Sequence, residues 1–419
     1  MSENVAPATP ARPARPYIGG QAVLEGVMMR APTSFAVVVR RRDGSLLVRE
    51  RAMIDARAGW TKWPLARGIA SLVESLRLGS EALRFSSDLY IEDIETEEEE
   101  RKRADEDGKP NAGDPPGAAP KRGAGEAAGG GIARASLVAL AMFLLSLGDA
   151  APSTKPKDKK AGAGLLMLLL VVGFFIALPQ IASAGVNRVL HLGLEVQSPA
   201  FQLLTGVFKL TIVVGYLLAI RRVNDIRRVF QFHGAEHKTI STYEAREELV
   251  LANARPKTTL HPRCGTTFLV MIALVSIVVF TAVGGVLPRI HTGSSVLDNV
   301  VFFLEKLPFL PFIAAITFEL QRFSAKYCTT GPLRALLWPG FLVQKITTIE
   351  PDDAQLEVAL AALRATLFRE AASAPAEDAE PADIAFPSYA ALAAAAQLRP
   401  GAGAGLGAPA LQASAASPA

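Results

Sequence analysis

Two histidines four residues apart with a carboxylate between them, His233-Gly234-Ala235-Glu236-His237, offer this chain its clearest route to chemistry. The whole sequence holds only five histidines. On a helix, residues at i, i+3 and i+4 share a face, so both imidazoles and the carboxylate can converge on one point. That arrangement suits a divalent metal with a general base beside it. A second group, His261-Pro262-Arg263-Cys264, follows further along the chain. Imidazole and thiolate are both good zinc ligands, so His233, His237, His261 and Cys264 are the candidate ligand set for a divalent metal, zinc first. Three protein ligands leave a position open for catalysis, whereas four close the site and make it structural. In the catalytic reading Glu236 is the general base, and Lys238 or Arg263 meets the developing oxyanion. The plainer readings are hydrogen-bonding histidines and a Cys264 packed inertly against a helix. A further reading makes Cys264 a nucleophile activated by His261 or His237, with Arg263 favouring the thiolate.

A different constellation lies near the start, from Tyr17 to Arg30. Its paired glycines, Gly19 and Gly20, suit a turn entering a strand and lack the spacing of a nucleotide loop. Glu25 and Arg30 supply an acid and a cation for a polar site.

The elements that position these residues point to a membrane. Half of the 419 residues are hydrophobic, and they gather in blocks. Leu165 to Val186, Phe201 to Ile220 and Thr267 to Leu287 each carry at most one charge. Val300 to Leu320 is apolar apart from Glu305, Lys306 and Glu319, and Pro308 and Pro311 predict a kink in it. About 20 apolar residues cross a hydrocarbon core as a helix. The fold class expected is therefore a polytopic α-helical membrane protein of about four transmembrane helices, with a small cytoplasmic α+β portion. Ala133 to Leu147 is too short for a span and reads as interfacial or re-entrant.

Arginine and lysine crowd the loop between the second and third of these blocks, whereas the first and third loops hold one arginine each, Arg188 and Arg289. By the positive-inside rule that loop and both termini are cytoplasmic, in a multi-pass protein of the bacterial inner membrane. Cys264 and Cys328 then face a reducing compartment, where a structural disulfide is not expected. Basic loops beside spans account for the net charge of +4, so no nucleic-acid partner is inferred.

The remaining divisions follow composition. Residues 1–16 form a Pro/Ala-rich disordered tail, and 17–91 an N-terminal cytoplasmic segment. Within the latter, Asp43-Gly44 predicts a hairpin between Phe35–Arg40 and Leu46–Arg49, and Pro64 to Phe85 a helix. Residues 92–131 read as a disordered linker, acidic and then Gly/Pro/Ala-rich. The membrane region is 132–320, with a site-bearing loop at 221–264. A C-terminal cytoplasmic segment spans 321–371, with a strand expected at Phe341 to Glu350 and an amphipathic helix opened by Asp352 and Asp353. Residues 372–419 read as a disordered tail.

The stretches Gly19–Arg30, Phe232–Ile240, His261–Phe268 and Pro339–Leu363 resemble the YqhQ family, bacterial membrane proteins described as predicted metal-dependent enzymes. The pentad also has the H-x-x-E-H spelling of the inverzincins. The family resemblance covers about Gly19 to Leu363 and implies a metal-linked membrane protein. Where that family carries tyrosine, this chain has Phe232 and Phe318. Two functions from different classes stand as expectations. One is a zinc-type hydrolase at the cytoplasmic membrane surface, acting on an amphiphilic or membrane-tethered substrate. The other is a non-enzymatic membrane scaffold or assembly factor with a structural metal. A transporter built on Lys209, Glu305, Lys306 and Glu319 is the third.

Overall fold

The computed structural model describes residues 15–53, 65–107, 177–284, 293–328, 332–371 and 382–395, with Trp63, Phe174 and residues 286–287 besides. Four antiparallel strands open the chain: β1 (Gly19–Val23), β2 (Gly26–Arg30), β3 (Ser34–Arg40) and β4 (Leu46–Ala52). The β3–β4 hairpin turns at Asp43-Gly44 as the sequence suggests, with Gly44 at φ +87. Six of the seven residues of β3 are buried, on both faces, because helices cover the sheet on each side. Val23, Met28, Phe35, Val37 and Val39 meet Leu78, Ala82 and Phe85 of the long helix α1 (Ala66–Asp107). Ala22, Val27, Met29, Ala36 and Val38 join the larger core on the opposite face.

The chain continues through α2 (Leu178–Val189), α3 (Pro199–Ile220), α4 (Asn224–Glu244), the single turn α5 (Leu251–Ala254) and α6 (Gly265–Gly284). After α7 (Ser295–Lys306), a 3-10 turn at Leu307–Phe309 leads to α8 (Leu310–Tyr327), the break the two prolines predict. Among the described residues three helical stretches are long and apolar enough to cross a membrane: Pro199–Ile220, Gly265–Gly284 and Val300–Ser324. They coincide with the second, third and fourth blocks read from the sequence. Half of Leu165 to Val186 and all of Ala133 to Leu147 lie outside the described residues. α6 packs against both α3 and α8, while Leu203, Val207, Leu218, Phe312 and Phe323 turn outward. Such exposed apolar side chains suit a lipid surface.

Beyond these come α9 (Trp338–Thr347), α10 (Asp353–Ala371), β5 (Ala382–Phe386) and α11 (Tyr389–Ala395). Four differences from the sequence reading have physical causes. The segment from Phe341 is helical, not a strand, because it packs along α6 and its Thr347 and Thr348 hydroxyls bond carbonyls one turn back. α10 is buried nearly all round, since it lies between the sheet and α4 and so needs no polar face. The acidic run from Glu92 to Asp107 continues α1, held by Arg41 on Asp93 at 2.5 Å and by the Glu97–Arg101 pair one turn apart. In the segment read as a tail, Ile384 and Phe386 are buried where β5 pairs with β4, completing the sheet order β1-β2-β3-β4-β5.

α1 also joins the two halves of the fold. Arg67 and Glu319 of α8 form an ion pair, and Gly68 sits against Phe318. This pairing accounts for Glu319 without a transport role.

The glycine of the pentad has a packing reason. The extended strip after α9 crosses α4 so closely that Ile349 N–H donates to the Phe230 carbonyl at 2.9 Å, and a Cβ on Gly234 would stand 2.2 Å from the Ile349 carbonyl oxygen. That oxygen belongs to backbone and cannot rotate away. Gly234→Ala should therefore destabilise the protein by about 1–3 kcal/mol in thermal or denaturant unfolding. Gly185→Ala, which meets nothing within 4 Å, should leave stability nearly unchanged.

Candidate metal centre

α4 carries His233 and His237 one turn apart, and the loop before α6 delivers Cys264 to the same point. Their ligand atoms all lie within 4.8 Å of one another. His233 Nε2 stands 3.1 Å from Cys264 Sγ. Each imidazole is oriented from behind by a backbone carbonyl: Thr347 accepts from His233 Nδ1 at 2.9 Å, and Thr259 accepts from His237 Nδ1. A carbonyl can only accept, so Nδ1 carries the proton in both rings and each neutral ring has its Nε2 lone pair free. A backbone carbonyl behind the ring is how ligating histidines are commonly held. His237 Nε2 is buried and makes no hydrogen bond among the described residues, an atom that a cation beside Cys264 would satisfy. The donor set of two imidazoles and one thiolate suits zinc.

His261 stands apart from this trio. Its ring centre is 5.7 Å from that of His237, and both nitrogens are engaged. Nε2 faces Glu244 at 3.3 Å, and Nδ1 accepts from the Arg263 N–H at 3.4 Å. Burial pushes its pKa down. The structure therefore brings together three of the four candidate ligands. Buried Gln344 fixes the loop that carries them. It accepts from His261 N–H at 2.8 Å, and its amide donates to the His261 carbonyl at 2.8 Å and to Thr267 Oγ1 at 2.7 Å. Gln321 donates to the Cys264 carbonyl at 2.9 Å.

Glu236 is buried at 5% exposure and lies toward β1, where a Cβ on Gly20 would stand 2.7 Å from its Oε1. One of the paired glycines at the front of the chain thus makes room for this carboxylate. Lys238 is also buried, but its ammonium is held by the Arg255 carbonyl at 2.7 Å and by Glu350. Arg263 pairs with Glu244 and lies over the Tyr17 ring. Glu25 and Arg30 do not form one polar site. Glu25 occupies the β1–β2 turn at φ 51, where Arg228 pairs with it at 2.5 Å, while Arg30 ends β2 and reaches Glu74 at 3.0 Å. The five steps of extended chain from one to the other hold them roughly 16 Å apart. Thr259, Thr347, Gln344 and Gly20 escaped the sequence reading. The first two act through backbone carbonyls, which leave no mark on residue type.

Burial alone would raise the Cys264 thiol, yet His233 and His237 outweigh it and hold the group well below its ordinary pKa. Burial likewise opposes charge on His233, but the Cys264 thiolate and then Glu236 reverse this and raise its pKa to about 9. His237 is pushed down by burial despite the thiolate. The pair at 3.1 Å can therefore share a proton or a metal between the same two atoms.

These features define a class: a helical membrane-type protein with a sheet-and-helix body and a His-His-Cys cluster where the two meet. A family described as a protein of unknown function (DUF1385) matches residues 63–369, and the chain belongs to that family. The matched stretch holds both histidines, Cys264, α9 and most of α10, and begins after the first four strands. The chain is 28% identical over 370 residues to the uncharacterized protein YqhQ of Bacillus subtilis (strain 168), covering 85% of this chain and 94% of that one. The family is thus YqhQ-like, as the motifs suggested. No solved structure matches.

Two outcomes follow from this geometry. In protein stripped of metal by chelation, the raised His233 contributes stability in full below the unfolded imidazole value of about 6.5, and loses it as pH rises through about 9. The lowered Cys264 contributes above the free-thiol value and loses it as pH falls through its own depressed pKa. Between about pH 6.5 and about pH 8.5 the two opposed slopes cancel, so the melting temperature of chelated protein should stay level there and fall below about pH 6.5, and that acid-side fall should flatten in Cys264→Ala. Separately, Gly20→Ala should destabilise the fold by forcing Glu236 aside. Adding Glu236→Ala should restore part of the loss, with a coupling of about 0.5–3 kcal/mol in a double-mutant cycle.

Proposed function

We propose that this protein is a multi-pass membrane metalloprotein whose His233, His237 and Cys264 hold one divalent metal, zinc by donor chemistry, with a position left open for hydrolysis. The observation that carries the reading is the trio of ligand atoms within 4.8 Å. Its support is that backbone carbonyls orient both rings so that each neutral imidazole offers its Nε2. Zinc so held supplies Lewis acidity and lowers the pKa of water at its open position towards neutrality.

The residues around it divide the remaining work. The Thr259 and Thr347 carbonyls keep both imidazoles in the ligating tautomer. Glu236, buried beside the helix face that bears the histidines, accepts a proton as general base. Lys238 is tied to the Arg255 carbonyl and Glu350, and Arg263, directly before Cys264, is paired with Glu244; of the two, Arg263 is the one assigned to meet developing negative charge. The basic loop between the second and third apolar blocks supports a centre on the cytoplasmic side of a bacterial inner membrane, with both termini on that side. A site next to the ends of apolar helices fits an amphiphilic or membrane-tethered substrate.

A second reading has a specific observation behind it. The trio draws on α4 and on the loop entering α6, so a bound metal would pin the sheet body to the membrane-type helices. In that case Glu236 orients a ligand histidine, and the protein is a scaffold with a structural metal.

Elemental analysis of protein purified without chelators separates these readings from each other and from failure of both. Wild type should hold about one metal per chain, and Cys264→Ser and His237→Ala should lose most of it. If Glu236→Gln keeps metal and melting temperature yet loses cellular function, the hydrolase reading stands. Unchanged function in that variant removes it and leaves the scaffold. Metal-free wild type overturns both.

A further inference from the structure

Two lysines lie inside the membrane-type helices without an acidic partner. Lys209 is midway along α3, and Lys306 ends α7 at 7% exposure. Among the described residues neither forms an ion pair. Lys209 Nζ donates to Ser276 Oγ at 3.2 Å, and Lys306 Nζ donates to Gln202 Oε1 at 2.8 Å. Both lie near the face of Phe280, with Nζ at 5.8 Å and 5.2 Å from the ring centre. These are weak replacements for hydration. An ammonium inside a bilayer is costly, and such residues line a pathway or pair with a charge by default.

The two side chains border one cavity of about 50 Å³, with Gln202, Ser276, Phe280 and Gln180 also in its wall. A single water needs about 10–15 Å³, so the space takes a few waters or one small anionic head. Gln202 and Ser276 accept from the two lysines and are fixed in turn by donating to the Val196 and Ala273 carbonyls, so this polar wall sets where the ammonium groups point while each ammonium keeps donors for a polyatomic anion. Ser276 lies roughly 18 Å along α6 from Cys264, by the rise of a helix. The cavity is therefore separate from the metal centre and does not depend on it. Snorkelling is poorly suited to Lys306, whose amine is turned to the buried Gln202 amide and not to the helix exterior.

We propose that this cavity is an oxyanion site, taking a carboxylate or phosphate group between Lys209 and Lys306. The two ammonium groups supply both charge and donors, and Gln202 and Ser276 fix where they point. The group belongs either to a free ion or to the head of an anionic amphiphile entering between helices.

The test uses the full chain in detergent of neutral headgroup and follows melting temperature against sodium phosphate, sodium acetate, dihexanoyl phosphatidate and sodium dodecanoate, with sodium chloride at matched ionic strength. Wild type should gain several degrees with at least one oxyanion and nothing with chloride. Lys209→Met, Lys306→Met and their combination should lose that gain. Each remains foldable because an apolar side chain of similar length removes a buried charge. A response to phosphate or acetate identifies a free-ion site, and a response confined to the amphiphiles identifies a headgroup site. No oxyanion response in wild type overturns the proposal. So does an equal response in the methionine variants that fold. Should all three fail to fold, Gln202→Leu replaces them, with the same loss expected and an undiminished gain again overturning the site.

Discussion

The close crossing of the extended strip after α9 over α4 governs the rest of the site. Ile349 bonds Phe230 and leaves no room for a side chain at Gly234. That contact brings the Thr347 carbonyl behind His233, and Thr347 closes the helix that packs along α6. Gln344, three residues earlier, then grips the loop that delivers Cys264. Both the imidazole and the thiol are thus placed from one short stretch of chain, the first by the Thr347 carbonyl and the second by the Gln344 side chain. The His233–His237–Cys264 cluster is the meeting point of α4, α9 and the loop before α6 and belongs to none of them alone.

Much of this was legible in residue type. The i, i+4 histidines share a helix face because α4 is a helix through both of them. The apolar blocks at Pro199–Ile220, Gly265–Gly284 and Val300–Ser324 are helices with the proline break where expected. The Asp43-Gly44 hairpin is in place. What could not be read was whatever runs through main chain or through distant pairing. No residue letter reports that Thr259 and Thr347 lend carbonyls. The strand-like letters from Phe341 fold as helix because a neighbouring helix, not a sheet edge, is there to receive them. Glu25 and Arg30 looked like neighbours, but extended backbone between them sends each to a different partner.

The two glycines at Gly20 and Gly234 share one logic. Each stands where another element approaches within a Cβ radius, one against a carboxylate and the other against a carbonyl. Glu236 is therefore confined by β1 on the side opposite its own helix. A carboxylate so confined is held near His233 and contributes to that ring's basicity.

The sheet has a history in time as well as a shape. Arg49 of β4 bonds Asp383 of β5 across 334 residues of chain, and α10, which covers one sheet face, is nearly as distant. At about 5–20 residues per second of synthesis, the first four strands wait tens of seconds for the partners that bury them. Their apolar face, rich in valine, is in the meantime a substrate for chaperones or for pairing with another nascent copy. The three helices long and apolar enough to cross a membrane are made in that interval, before β5 is available to complete the sheet. The His233–His237–Cys264 cluster, whose His233 is oriented by the Thr347 carbonyl at the end of α9, is likewise complete only once α9 has been made.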